Sequence, residues 1–233
     1  MPYGLRSIAF VAELIHAPVQ HDPRLLQRLH GELFASSEAS YRDFRLVPGG
    51  AQLSNAAGGL PGAPVSCVNL LPDRVQIREE QTGQSREDFE ARVGHLARAV
   101  LDVLPVKLFL AQQYAVRSVV NPQSTADARE FMLRTIFGFD DNLLGAFAGA
   151  PTLAGLRLAF PPAQAGGGIF NVRVESFSND NRSLFLEAVG TFAQPVKADG
   201  VDGLVQGFDA TYDFLQERLV TFVGQFDGEG GQE

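Results

Sequence analysis

Tryptophan is absent from the 233 residues, cysteine occurs once, and methionine occurs twice. A single thiol, Cys67, excludes an internal disulfide, and with no second cysteine it excludes a thiolate metal cluster. Only 4 tyrosines accompany 18 phenylalanines, which turns the aromatic content toward packing. Sugar and single-stranded nucleic acid sites draw instead on exposed Trp and Tyr. No run comes near the roughly 18 apolar residues of a membrane helix, and Met1-Pro2-Tyr3-Gly4-Leu5-Arg6 has no signal-peptide apolar region. The expectation is a cytoplasmic protein with no membrane partner.

Lysine is also scarce. Lys107 and Lys197 are the only two, so almost all of the 19 basic residues are arginine. A genome rich in Arg codons explains that bias most simply; planar bidentate contacts at an interface are the sharper explanation. Against 27 acidic residues the formal charge is −8, which argues against a broad phosphate-binding surface and hence against nucleic acid. The 45% hydrophobic content suffices for a core without disulfides or metals.

What is present is a pattern run through twice. Ser7 to Val19 alternates as a strand, and Asp22-Pro23 opens a short helix carrying Leu25, Leu26, Leu29 and Leu33. Tyr41 to Val47 and Ala51 to Ala56 read as a hairpin, followed by a Gly/Pro loop and the strands Val65 to Leu71 and Arg74 to Glu80. Ser85 and Asp88 form a capping pair for a longer helix through Leu104. The pattern then restarts with a strand from Val106 to Val120 and a short helix near Phe131, which Ser124 and Asp127 suggest is capped. Strands follow at Thr152 to Phe160, Ile169 to Phe177 and Ser183 to Phe192, and the chain closes with a long helix bearing Leu204, Phe208, Tyr212, Leu215 and Phe222. The expected fold is α+β: two βαβββα-like repeats, residues 1–105 and 106–226, with antiparallel sheet and helices packed on one face. Residues 227–233, rich in Gly and Glu, form an expected disordered tail.

In element order this arrangement resembles the duplicated, helix-grip architecture of TATA-box-binding proteins, a likeness of fold without functional weight. The first strand with its short helix, the segment Phe170-Asn171-Val172-Arg173-Val174-Glu175-Ser176-Phe177 and the closing Ala210-Thr211-Tyr212-Asp213-Phe214-Leu215 also resemble a second group. This is a sporadically distributed, uncharacterised bacterial family of about this length. It implies no activity and no catalytic residues.

Motifs that carry chemistry are few. His16, His21 and His30 fall on neighbouring elements and are weak candidates for a metal site, but their spacing matches no established ligand motif. No G-x-S-x-G elbow occurs, Cys67 has no evident histidine partner, and neither glycine cluster, Gly58-Gly59-Leu60-Pro61-Gly62 or Gly166-Gly167-Gly168, opens a helix as a phosphate loop must. No catalytic residue and no cofactor is assigned. Glu13, Glu175 and Glu187 lie within apolar strands, where alternation puts them on the wetter sheet face opposite arginines. If Phe170, Val172 and Val174 face the helices, then Asn171, Arg173 and Glu175 face away, joined by Gln76, Arg78, Gln113, Arg117, Arg157 and Glu187. Arg78, Arg117, Arg157, Arg173 and Glu175 are the candidate partner-binding residues.

The reading adopted from the sequence is a non-enzymatic interaction or assembly protein, a subunit or adaptor of a larger complex, binding a protein partner or its own copies. The alternative is a small hydrophobic ligand binder, with Phe208, Tyr212 and Phe222 lining a pocket between sheet and C-terminal helix. A hydrolase or metal enzyme built around His16, His21 and His30 is the third.

Overall fold

A computed structural model of the chain describes residues 3–36, 39–57, 60, 62–147, 149–164 and 166–228. Most of the expected tail, from residue 229 on, lies outside the described residues, as do Gly58, Gly59 and Pro61. Strand β1 (Arg6–His16) turns Phe10, Ala12, Leu14 and His16 to the buried side. Pro18 has no N–H for the ladder, and the strand ends short of the expected Val19. Helix α1 (Pro23–Ala35) starts where the Asp22 carboxylate accepts the Arg24 N–H at 2.8 Å. Strands β2 (Asp43–Val47) and β3 (Gly50–Ala57) turn through Pro48-Gly49, where Gly49 takes the left-handed φ of 77°. Strands β4 (Val65–Leu70) and β5 (Arg74–Glu80) lead to α2 (Arg86–Val103), and the Ser85 hydroxyl accepts the Asp88 N–H at 3.1 Å.

The chain then continues from a second long strand. After β6 (Phe109–Val120), the Asp127 carboxylate caps α3 (Ala128–Glu130), which continues as a π-helical turn, Phe131–Ile136. Ser124, expected to share that cap, instead gives its N–H to Asp227. A short α4 (Asp141–Leu144), which the sequence pattern did not suggest, precedes β7 (Gly155–Phe160), β8 (Ile169–Ser176) and β9 (Leu184–Phe192). The closing rod is α5 (Asp202–Asp213), a π-helical turn at Phe214–Leu219, and α6 (Val220–Asp227).

The nine strands among the described residues join one antiparallel sheet in the order β2-β3-β4-β5-β1-β6-β9-β8-β7. The order reads alike outward from the centre: β1-β5-β4-β3-β2 on one side and β6-β9-β8-β7 on the other, one strand shorter. The protein is thus α+β, with its helices against one face of the sheet. Along β5, Val75 and Ile77 are buried while Arg74, Gln76, Arg78 and Glu80 on the other side are half-exposed. The buried side merges with Leu29 of α1, Val93 of α2, Met132 beyond α3 and Leu204 of α5 into one core. Helix α5 sits very close: a Cβ on Gly207 would fall 2.7 Å from the Tyr114 ring, and one on Gly190 would fall 2.2 Å from Thr211 Oγ1.

Phe208 of α5 sits where the halves meet. It is fully buried, edge-on to Phe10 of β1 at 5.5 Å, and 4.9 Å from Phe89 of α2. Above it, Arg86 of α2 joins Glu90 at 2.8 Å, Asp213 at 2.9 Å and Asp209 of α5, and its guanidinium covers the Tyr212 ring at 4.7 Å. One cation therefore holds three carboxylates from two helices. Burial, then the hydrogen bond with Asp209, pushes the Glu90 carboxyl up to about 7. For Asp209, burial works the other way but is outweighed by its bonds to Glu90 and Arg86, and its carboxyl is held down.

Between the ordinary 4.5 of a glutamate and about 7, the folded protein keeps a Glu90 proton that the unfolded chain has lost. This contribution to stability is complete below that window and is lost as pH rises through it. The melting temperature of the wild type should therefore fall between about pH 5 and about pH 8. In Glu90→Gln the fall should be shallower, as followed by circular dichroism at matched ionic strength.

Candidate functional site

The helix-free face of the sheet carries all five residues singled out for partner binding, set out by the strand register. One row runs Gln52, Asn69, Gln76, Glu13, Gln113, Thr191 across β3, β4, β5, β1, β6 and β9. Its side chains relay hydrogen bonds. Gln52 donates to Asn69 at 2.9 Å, Asn69 to Gln76 at 3.0 Å, Gln76 to Glu13 at 2.7 Å, and Gln113 to Thr191 at 3.1 Å. Arg74 adds an ion pair to Glu13 at 3.3 Å.

A second row runs Glu80, Ala9, Arg117, Glu187, Arg173, Arg157 through β5, β1, β6, β9, β8 and β7. Glu80 takes Arg78 at 2.8 Å and Arg117 at 3.5 Å, and Glu187 takes Arg117 at 2.7 Å and Arg173 at 3.4 Å. Arg173 also reaches Glu175 at 3.4 Å and lies over the Phe185 ring at 4.6 Å. Arg78, Arg117, Arg173 and Glu175 thus share one face, as strand alternation requires, and form one network. The pairing also spends it. Three of the four arginines already hold carboxylates, and only Arg157 has no ion pair among the described residues.

Arg157 marks the place where the structure remains open. It lies on β7, the outer strand of the sheet, whose far side has no strand neighbour among the described residues. Leu158 and Phe160 on the opposite side of β7 are 41% and 38% exposed. Alongside, Phe139, Phe147 and Leu153 line a groove of about 320 Å³ with Leu133, Phe137 and Leu144. Phe147 is 67% exposed and Leu153 49%. Sequence pattern had missed this patch because the 138–151 segment has neither a strand nor a helix period; its density of phenylalanine and leucine was the available signal.

The histidines separate. His16 and His21 come within 6.3 Å, ring to ring, and bond to the carbonyls of Ala17 and Leu71 respectively. Burial pulls the His16 pKa down. His30 lies apart, bonded to the Tyr41 carbonyl and resting on Phe44. Among the described residues no three His, Cys, Asp or Glu side chains form a group able to hold a metal ion. Cys67 is buried within β4, and burial pushes its thiol pKa up, away from nucleophilic use. No helix among the described residues is long and apolar enough to cross a membrane.

The pocket expected between sheet and C-terminal helix needs correction in its lining. Phe208 is completely buried in the core, and neither Tyr212 nor Phe222 borders the cleft that exists there. That cleft, about 660 Å³, lies between Phe170 and Phe192 of the sheet and Gly203 and Gly207 of α5, with Gln194 and Lys197 at its rim. Phenylalanines at helical spacing could not distinguish a core face from a cavity face.

No family model matches the chain, and comparison with curated proteins gives no match. The functional reading therefore rests on the geometry.

The network makes a prediction of its own. Glu187→Gln leaves two guanidinium groups without their shared carboxylate and should cost about 1–2 kcal/mol of stability. Arg157→Gln, at an exposed position, should change stability by no more than about 0.5 kcal/mol. Urea midpoints at constant m-value measure both.

Proposed function

We propose that the protein is a non-enzymatic interaction and assembly protein, a subunit or adaptor of a larger complex, and that it associates through the β7 edge. The observation that carries this reading is the combination on one strand of an unpaired outer edge, exposed Leu158 and Phe160, and an arginine without a carboxylate. Edge strands are usually guarded by inward charge, proline or a bulge, and among the described residues β7 pairs with β8 without a register shift. An apolar groove beside it adds contact surface of the kind that marks interfaces.

The partner that the strand pattern fits best is a second copy. Paired antiparallel about Leu158, two β7 strands set Leu156 against Phe160 of the other copy and Arg157 against Ala159. Leu156, Leu158 and Phe160 of both copies then share one side, and no arginine faces its own copy. We infer that the two halves of each chain descend from one duplicated unit, which the matching strand order outward from β1 and β6 supports.

Sedimentation velocity over about a hundredfold concentration range tests the reading, because self-association is concentration-dependent. The wild type should sediment as a dimer, and Leu158→Lys as a folded monomer. A wild type that remains monomeric throughout, or a Leu158→Lys variant that still dimerises, would remove the β7 pairing.

A second reading has its own observation, the 660 Å³ cleft faced by Phe170 and Phe192, which suits a small hydrophobic ligand. A Cβ placed on Gly203 meets nothing within 4 Å, so Gly203→Phe fills the cleft without straining the fold. If fatty acids or flat aromatic compounds raise the melting temperature of the wild type, Gly203→Phe should abolish that rise. A flat screen on the wild type argues against this use of the cleft.

A further inference from the structure

Each half of the chain leaves a hollow in the same position, between its last two paired strands, the loop that follows and the first turns of the next helix. In the second half this is the cleft between β8, β9 and α5, faced by phenylalanine and glycine. In the first half it is a cavity of about 470 Å³ between β4, β5 and α2, and its chemistry is the opposite. Ser66, Glu79, Thr82, Gln84, Asp88 and Arg92 line it.

These polar groups are incompletely matched to one another. Glu79 is 3% exposed, accepts the Ser66 hydroxyl at 2.8 Å, and lies 3.3 Å from Nη1 of Arg92. The Arg92 guanidinium also covers the Tyr41 ring at 5.3 Å. Yet Nε and Nη1 of Arg92, Oε1 of Gln84 and the Tyr41 hydroxyl are all buried without a well-formed hydrogen bond, although Arg92 lies beside both Glu79 and the Tyr41 hydroxyl. Folded proteins satisfy the great majority of buried polar atoms, and each exception calls for a cause. Here four occur in neighbouring residues, three of the atoms belonging to two side chains of one cavity wall. Burial pushes the Glu79 carboxyl up, against the opposing pull of the Ser66 hydroxyl and the Arg92 charge.

The charges select the ligand. A bare anion would meet Arg92 but be repelled by Asp88 and Glu79, a bare cation the reverse, and an apolar molecule would leave every one of these groups unmet. We propose that this cavity binds a small zwitterion of the α-amino-acid class, its carboxylate held by Arg92 and its ammonium by Gln84 Oε1 and Asp88. The proposal is independent of the β7 edge and of the second-half cleft. The two hollows are then one architectural position with two chemistries.

Thermal shift followed by calorimetric titration of the full chain tests it, with the common free amino acids as probes and acetate and methylamine as single-charge controls. At about a hundredfold excess over Kd, at least one amino acid should raise the melting temperature by about 5–10 °C. Acetate and methylamine should not. Arg92→Met should abolish the response. Because Arg92 also touches Glu79 and Tyr41, a second variant, Ala91→Phe, occludes the cavity from the exposed rim of α2 with every proposed partner retained. It too should abolish the response while its far-ultraviolet circular dichroism stays that of the wild type. No amino acid shifting the melting temperature, acetate shifting it equally, or a response that survives Ala91→Phe would each overturn the proposal.

Discussion

The pairing of β1 with β6 is the constraint on which the rest of the structure depends. It runs from Arg6 opposite Val119 to His16 opposite Phe109, with register shifts near both ends. Every other strand is reached outward from this seam, five on one side counting β1 and four on the other. Side-chain identity follows from it. The register that sets Glu13 opposite Gln113 and Ala9 opposite Arg117 also aligns the amide relay and the arginine–glutamate network across both halves. A slip by one residue would turn Phe10 and Leu14 to the open face and bring Glu13 into the core.

Aromatic rings reinforce the seam on its buried side and carry it to the edge. Phe89, Phe10 and Phe208 meet at the centre, Phe208 approaches Tyr114, and the contacts continue through Phe192, Phe170 and Phe214 to Phe160 on β7. Each ring lies 4.4 to 6.1 Å from the next along this line. Phenylalanine, with no polar atom to satisfy, can occupy every position in such a chain. The absence of tryptophan and the excess of phenylalanine have their physical meaning here.

Much of the fold was legible because local signals agreed with tertiary ones. Alternation located the strands to within a few residues, and Asp22, Ser85 and Asp127 each cap a helix near where their side chains suggest. The sheet face was legible for the same reason: period two is a property of the strand, so Arg78, Arg117 and Arg173 had to share a side. What could not be read was pairing across space. Nothing in the one-dimensional pattern tells that Arg117 and Arg173 hold the same glutamate while Arg157 holds none. Cavities were equally hidden, since the apolar stripe carrying Phe208 has the same spacing whether it meets a wall or a void. The 138–151 segment lacked any period to read.

The seam also has a consequence for the order of events as the chain is made. Strands β1 to β5 are complete in the nascent chain once residue 80 is synthesised, but the partner that covers the inner edge of β1 ends at Val120. At about 5–20 residues per second, the half-formed sheet waits roughly 2–8 seconds with that edge bare. During this interval the nascent polypeptide offers neighbouring chains on a polysome the same hydrogen-bonding groups that β6 will later occupy. The steps from residue 80 to residue 120 are therefore where crowding and ribosome pausing should decide how much of the protein reaches its native state.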